Sequence, residues 1–372
     1  MTLSLAQYLA PTIAERLGRA LSDLRLGLPV LVTLQDQRAL VMAVETLTDT
    51  RLHQLSELIG VPELVLTANR GRVVLAVQTA VSQLTGPLRI QPPALAKADW
   101  FRHVADASFD DAGPTGPLHM LRAGDTALHD LALTLVKSAQ LMPAAVLFAI
   151  DEASASSVDF DVPQIGLAEA QAHFSASPIL SAVAASRLPI EAHETGCLHV
   201  FREPDGVTEH YAMEIGSPDL SGPVLCRLHS ACFSGDVLGS LKCDCGPQLR
   251  TALARMGEEG AGILLYLNQE GRGIGLANKM RVYDLQAKGF DTVEANHRLG
   301  SSDDERDFRV AAVMLRTLGV DAIRLLTNNP KKVDTLRRHG LHLAGRLPLR
   351  VGENPHNQAY LSVKALKSGH VL

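Results

Sequence analysis

Three of the five cysteines form one tight group, Cys232, Cys243 and Cys245, spaced C-x10-C-x-C. Thiolates are soft metal ligands, and two thiols one residue apart converge on one ion only where the backbone turns. Gly246 and Pro247 supply such a turn and start a helix, whose N-terminus favours thiolate. Three protein donors leave a fourth tetrahedral position open, the arrangement of a catalytic zinc that activates water. The spacing alone leaves two other readings open behind that one: a structural site completed by His229, or three unrelated buried cysteines. The remaining pair, Cys197 and Cys226, leaves the count odd, and no cysteine lies in the first half. That is no disulfide framework and points to a reducing compartment.

Two further patterns suit a phosphorylated ligand. Glu270-Gly271-Arg272-Gly273 lies between an apolar strand candidate, 262–267, and a helix. Such a turn can bring N–H groups and a guanidinium onto phosphate oxygens, though it also reads as an ordinary strand-to-helix turn. Thr327 and Lys332 flank the start of a helix capped by Asn329, with Pro330 at its first position. Ser302 and Glu305 have capping-box spacing, which predicts a helix running to Gly319. Asp304 and Arg306 would then sit in its first turn on different sides, as rim residues of a pocket or as a capping acid and a surface arginine.

These residues need a frame. Helical periodicity marks 13–26, 52–59, 128–141 and 247–256, and buried-strand candidates lie at 29–32, 64–66, 144–150 and 322–326. The alternation gives an α/β class with α+β character. At 372 residues the chain is too long for one ordinary domain. A polar, small-residue stretch from 151, then an Ala- and Ser-rich segment interrupted by Pro178, places a boundary near 185. The expected domains are 1–185 and 186–372. Thirty-five basic against forty acidic side chains give a net charge of -5, which argues against a general nucleic-acid binder. No apolar run is long enough to span a membrane, and the N-terminus lacks the basic start of a signal peptide, so the expected location is the cytoplasm.

Taken together, the motifs of the second half closely resemble GTP cyclohydrolase II over roughly 187–372. They are Arg227-Leu228-His229-Ser230, Cys232, Ser240 to Gly246, Gln269 to Arg272, Asp291 to Asn296, Asp304 to Phe308 and Leu326 to Lys332. The resemblance implies a zinc-dependent enzyme that opens riboflavin biosynthesis. It hydrolyses GTP to 2,5-diamino-6-(ribosylamino)pyrimidinone 5'-phosphate, formate and pyrophosphate. It implies zinc on Cys232, Cys243 and Cys245, one ion per chain, and Mg2+ with the triphosphate. Tyr283 matches the tyrosine near the base, Asp304 the acid of a proton-transfer pair, and Arg306 the arginine at the α-phosphorus. Arg227, His229, Ser230, Gln248, Glu270, Gly271, Arg272, Thr292, Thr327 and Lys332 match the GTP-binding set. Many members carry Glu where this chain has Ala231. The alternatives are a paralogue with an altered product, such as a formylated intermediate or one serving pyrimidine catabolism, and a non-catalytic GTP sensor.

The first half resembles 3,4-dihydroxy-2-butanone 4-phosphate synthase in Leu24 to Val30, Val44 to Thr48, Leu66-Thr67 and Arg122 to Thr126. That family binds Mg2+ through an acidic run after its first strand, but 33–40 here holds the single carboxylate Asp36. The family's Gly-His-Thr reads Gly124-Asp125-Thr126. The resemblance therefore implies a degenerate domain that keeps the synthase fold without the activity and serves stability or dimer contacts. Both families form homodimers, so a homodimer is the expected assembly.

Overall fold

A computed structural model describes residues 9–76, 84–112, 116–151 and 161–358. The polar stretch read from the sequence as the start of a linker falls largely outside them. The chain divides into two compact units: residues 1–176 with 277–290 and 294–302, and residues 177–276 with 291–293 and 303–372.

The first unit is built on β1 (Val30–Leu34), β2 (Gln37–Ala43), β3 (Glu63–Leu66), β4 (Leu88–Gln91), β5 (His119–Met120), β6 (Ala144–Ile150) and β7 (Gln164–Gly166). They form one sheet in the order β5-β4-β3-β6-β2-β1-β7, with β7 parallel to β1 and the other pairs antiparallel. Side chains alternate across a strand, so β2 feeds two cores. Ala39, Val41 and Ala43 meet helices α1 (Ile13–Arg25) and α5 (Ala127–Ser138) on one face. Leu40 and Met42 meet Leu64, Phe101 and Phe148 on the other. Two covered faces explain why these strands read as continuous apolar runs. Burial of each large side chain contributes roughly 1.5–3 kcal/mol. Between α1 and α5 lie α2 (Asp49–Leu58), α3 (Ala68–Ala76) and α4 (Ala98–Ala105), and α6 (Leu167–Ser175) follows. Helix α6 stops before Pro178, as proline requires.

The stretch 33–40 is a tight hairpin: Leu34 pairs with Gln37, and Gln35 takes φ 51°. Asp125 accepts the Ala127 N–H at 3.0 Å, so it caps the start of α5. Glu63 receives Arg89 Nε at 2.8 Å and faces His129 Nε2 at 3.1 Å. Burial alone would raise this carboxyl, but the His129 and Arg89 hydrogen bonds outweigh it and bring it from 4.5 to about 2. A depressed folded value stabilises above the unfolded value and is lost as acid protonates the folded group. The first unit should therefore lose stability as the pH falls from about 4.5 through about 2. Glu63→Gln should flatten that limb of an acid-unfolding curve followed by circular dichroism; an unchanged limb would refute the assignment.

The second unit carries β8 (Ser181–Arg187), β9 (Gly196–Arg202), β10 (Glu209–Gly216), β11 (Val224–Ser230), β12 (Ala261–Leu267), β13 (Ala322–Leu326) and β14 (His342–Leu347). The sheet order is β14-β13-β11-β12-β10-β9-β8, with parallel pairs around β11 and antiparallel pairs from β12 outward to β8. Helix α7 (Cys245–Glu259) sends Ala252 and Met256 onto Leu225 and Leu264 on one face. Next along the chain come α8 (Gly275–Ala287) and α9 (Thr292–Leu299), then α10 (Arg309–Thr317) and α11 (Pro330–Arg338). Helix α10 packs Ala311, Ala312 and Leu315 on the opposite face, against Cys226, Ile263 and Leu325.

The helix expected from Ser302 begins instead at Arg309. Its would-be first turn is kept out of a helix by the Glu270–Gly273 turn: Glu305 N–H donates to Arg272 O at 3.0 Å, and Arg272 Nη1 to Asp303 O at 3.1 Å. A Cβ at Gly273 would stand 2.9 Å from the Glu305 backbone, so only glycine permits this approach. Tertiary pairing overrides the capping-box spacing.

By contrast, α8 beyond Leu276 and most of α9 belong to the first unit. Thr67 Oγ1 donates to Gly300 O at 2.7 Å, and Asn69 Nδ2 to Ser301 O at 2.8 Å. Arg70, 2% exposed, pairs with Asp110 at 2.7 Å and also donates to Arg298 O at 3.3 Å.

Candidate active site

The three sulfurs converge at the end of β11 and the start of α7. Cys232, Cys243 and Cys245 place their Sγ atoms within 4.8 Å of one another, and Cys232 and Cys243 lie 3.6 Å apart. What allows this is Gly235, in the short wide turn Phe233–Val237. A Cβ there would lie 2.7 Å from Cys243 Sγ, 3.0 Å from Cys232 Sγ and 3.1 Å from Cys245 Cβ. The cradle, its burial and its all-thiol donor set suit a soft metal ion. The neighbouring Cys232 sulfur, with burial, holds Cys243 above the ordinary thiol value although Cys245 pulls the other way; Cys232, then Cys243 and burial, hold Cys245 well above it. The α7 N-terminus was expected to lower these thiols. Hydrogen bonding among the close sulfurs, together with burial, outweighs that dipole, and a bound cation would reverse the balance.

A buried polar hub supports the first cysteine. Asp236, its side chain 4% exposed, accepts the Cys232 N–H at 3.1 Å and the Tyr266 hydroxyl at 3.0 Å. Both of its oxygens face His229 Nε2 at 3.0 Å, and the His229 ring stacks on Tyr266. With a carboxylate accepting there, Nε2 donates and Nδ1 is left as a buried acceptor with no partner among the described residues. Burial outweighs the attraction of Asp236 and lowers the His229 value, so the ring is neutral. His229 thus braces the thiol turn rather than joining the sulfur cluster.

A second cluster is cationic. Arg227 donates to Leu326 O at 2.9 Å and to Gln248 Oε1 at 2.5 Å, while Gln248 Nε2 donates to Asp244 at 2.5 Å. Lys332 Nζ donates to Leu228 O at 2.8 Å. Burial lowers Arg227 to about 10; burial, with Arg227 and Arg306 nearby, holds Lys332 well below its usual value. Such a group of buried cations gains from an anion. Thr327 Oγ1 accepts the Asn329 N–H at 3.0 Å, which fixes the entry to α11.

Asp304 and Arg306 do not point apart as the sequence suggested. Freed from a helical turn, they form a bidentate pair, Nε to Oδ1 and Nη2 to Oδ2, each 2.7 Å. Arg306 Nη1 also reaches Ser230 Oγ at 3.3 Å, and its guanidinium lies 4.9 Å from the Phe308 ring centre. Burial would raise the Asp304 carboxyl, but Arg306 outweighs it and holds the carboxyl below the usual range.

Glu270 spends its carboxylate on the Phe233 N–H at 2.6 Å and on the Gly271 N–H at 3.1 Å. Gly271 and Arg272 both take left-handed φ, 64° and 63°, which makes the sharp turn. Thr292 is buried at the start of α9. Tyr283 lies on the part of α8 that belongs to the first unit, with Lys279 Nζ 5.6 Å from its ring centre. The second unit thus gathers the cysteines, Arg227, His229, Ser230, Gln248, Asp304, Arg306, Thr327 and Lys332, and Tyr283 belongs to the first unit. Sequence reasoning missed Gly235, Asp236 and Tyr266. The one signal for the first two was a Gly-Asp pair between Cys232 and Cys243, in a stretch without periodicity, while Tyr266 lies within the apolar run 262–267.

Comparison with known proteins bears on the family. The family model described as GTP cyclohydrolase II matches residues 181–348. GTP cyclohydrolase-2 of Azotobacter vinelandii is 53% identical over 190 residues, 51% of this chain and 91% of that protein. GTP cyclohydrolase-2 of Azospirillum brasilense is 38% identical over 363 residues, 95% of this chain and 93% of that protein. Among solved structures, a two-domain 3,4-dihydroxy-2-butanone 4-phosphate synthase from A. baumannii covers 84% of this chain and 93% of its own, at 15% identity and a TM-score of 0.32, too loose a likeness to add to the fold. No helix among the described residues is long and apolar enough to cross a membrane. The kinship with the Azospirillum protein runs through both halves, and the chain is an enzyme that belongs to the GTP cyclohydrolase II family.

Proposed function

We propose that this enzyme hydrolyses GTP to 2,5-diamino-6-(ribosylamino)pyrimidinone 5'-phosphate, formate and pyrophosphate, with zinc on Cys232, Cys243 and Cys245. The observation that carries this reading is the convergence of three buried thiols around Gly235. Bound there, zinc would supply a water nucleophile near neutral pH, which a poorly electrophilic imidazole carbon needs. Arg227, Lys332 and Arg306 bind the triphosphate by charge, assisted by Mg2+. The Asp304 carboxylate aims the Arg306 guanidinium, so Arg306 meets the α-phosphate in a fixed orientation. Tyr283 orients the base or passes a proton during ring opening. The remaining GTP contacts come from Gln248, Glu270, Gly271, Arg272, Thr292 and Thr327, with His229 and Ser230 acting through Asp236 and Arg306. The working form is a cytoplasmic homodimer that feeds riboflavin synthesis. The first unit has lost synthase activity, since the hairpin at 33–40 offers one carboxylate and Asp125 serves as a helix cap.

The test is to incubate purified protein with GTP and Mg2+ and to read formate, pyrophosphate and product absorbance, alongside zinc by elemental analysis. About one zinc per chain is expected. Cys243→Ser should lose both metal and formate release. Formate release at full rate by that variant would overturn the reading, and pyrophosphate without formate would move it to the altered-product paralogue.

A further inference from the structure

The helix bearing Tyr283 is held by residues far earlier in the chain, all within the first unit. Asn278, 1% exposed, donates from Nδ2 to Gln140 O at 3.3 Å and Leu141 O at 3.1 Å. Gln140 reaches this arrangement with φ 58°, a left-handed conformation that a side-chain-bearing residue adopts at a cost. Arg281 Nη1 donates to Asn278 Oδ1 at 2.7 Å and to Glu45 Oε2 at 3.1 Å. The same Glu45 oxygen accepts the Met142 N–H at 2.7 Å. At the far end of the helix Lys288 pairs with Asp111 at 3.0 Å.

These contacts are directional. Two carbonyls, one amide and one carboxylate fix both the rotation and the axial position of α8, which apolar packing alone leaves looser. Residues two and five positions before Tyr283 make the contacts, so the tyrosine's direction follows from them. The segment begins and ends in the second unit by chain connectivity, at Leu276 and Asp291. Hence the half that lacks the synthase's acidic run grips one tyrosine-bearing element of the cyclohydrolase sequence.

We propose that residues 9–176 act in GTP hydrolysis as the scaffold that orients the Tyr283 helix, with Glu45, Asn278 and Arg281 as positioning residues. This rests on the reading of Tyr283 given above. A displacement of about 1 Å at a reacting group is enough to lower turnover by roughly 100-fold, so the grip governs rate and not only stability.

Two near-isosteric variants of the full chain test it. Glu45→Gln removes the charge that faces Arg281. Asn278→Asp keeps the shape and removes the donor to both carbonyls. Each should lower kcat for formate release by about tenfold or more, leave KM for GTP within about twofold, and retain zinc. Amide hydrogen exchange across 277–290 should quicken in both. Because Glu45 acts through Arg281, Glu45→Gln with Arg281→Gln should be no worse than the stronger single variant. A folded variant that keeps wild-type kcat overturns the proposal, whatever its exchange; so does a loss confined to melting temperature. Tyr283→Phe is the control: full activity there defeats the reading of Tyr283, whereas a loss there with wild-type Glu45→Gln and Asn278→Asp defeats the scaffold alone.

Discussion

Gly235→Ala should yield a folded protein that purifies with little or no zinc and releases almost no formate. The added methyl has nowhere to go. It would lie 2.7 Å from one sulfur and 3.0 Å from another, well inside van der Waals contact. Thiols sit on short side chains, so relief comes only by spreading the triangle or shifting the backbone. The backbone is pinned as well, because a Cβ at Gly246 would be 2.2 Å from Gly235 O, a measure of how closely those two glycines approach. Zinc requires each sulfur near 2.3 Å, and structural support of that kind typically governs metal affinity by about 10–100-fold. Glycine is needed here for space, since its φ lies outside the left-handed region. Elemental analysis, with formate assayed in parallel, decides the matter; a variant holding a full complement of zinc would refute the cradle.

Arg306→Lys should retain zinc and bind GTP, yet turn over at least about 100-fold more slowly. The guanidinium meets Asp304 through two 2.7 Å bonds and keeps a further nitrogen for Ser230. An ammonium offers one point charge and cannot reproduce the planar fork, so it swings about the carboxylate. Charge is conserved in this substitution and orientation is not. If turnover stayed near wild type, Arg306 would matter only as a charge. Measuring formate and pyrophosphate separately shows which step depends on it.

Much of this was readable from residue order. Strand β6 and strand β13 run over the expected residues because each is a short, mainly apolar run that follows a helix. The Asn329-Pro330 start of α11 is visible because cap and proline act locally: Asn329 accepts the Lys331 N–H at 2.9 Å. The thiol cluster is likewise signalled by spacing. What stayed hidden depends on long-range approach. Ser302 and Glu305 carry a genuine local capping signal, but the backbone of Arg272, some thirty residues earlier, claims Glu305 first. Asp304 and Arg306 then meet as a pair instead of diverging. Asp236 gathers partners from β11, its own turn and β12, and no short window shows that.

The bond between Thr67 and Gly300 closes a loop of 233 residues. On a ribosome that emits the chain from its N-terminus, the early sheet appears first, while the carbonyls that Thr67, Asn69 and Arg70 engage appear more than two hundred residues later. The first unit is therefore completed only after residues 177–276 and 291–293 of the second have been synthesised. A nascent chain halted near residue 270 would leave Thr67 and Asn69 without these acceptors, so closure of the first unit waits on the segment 294–302.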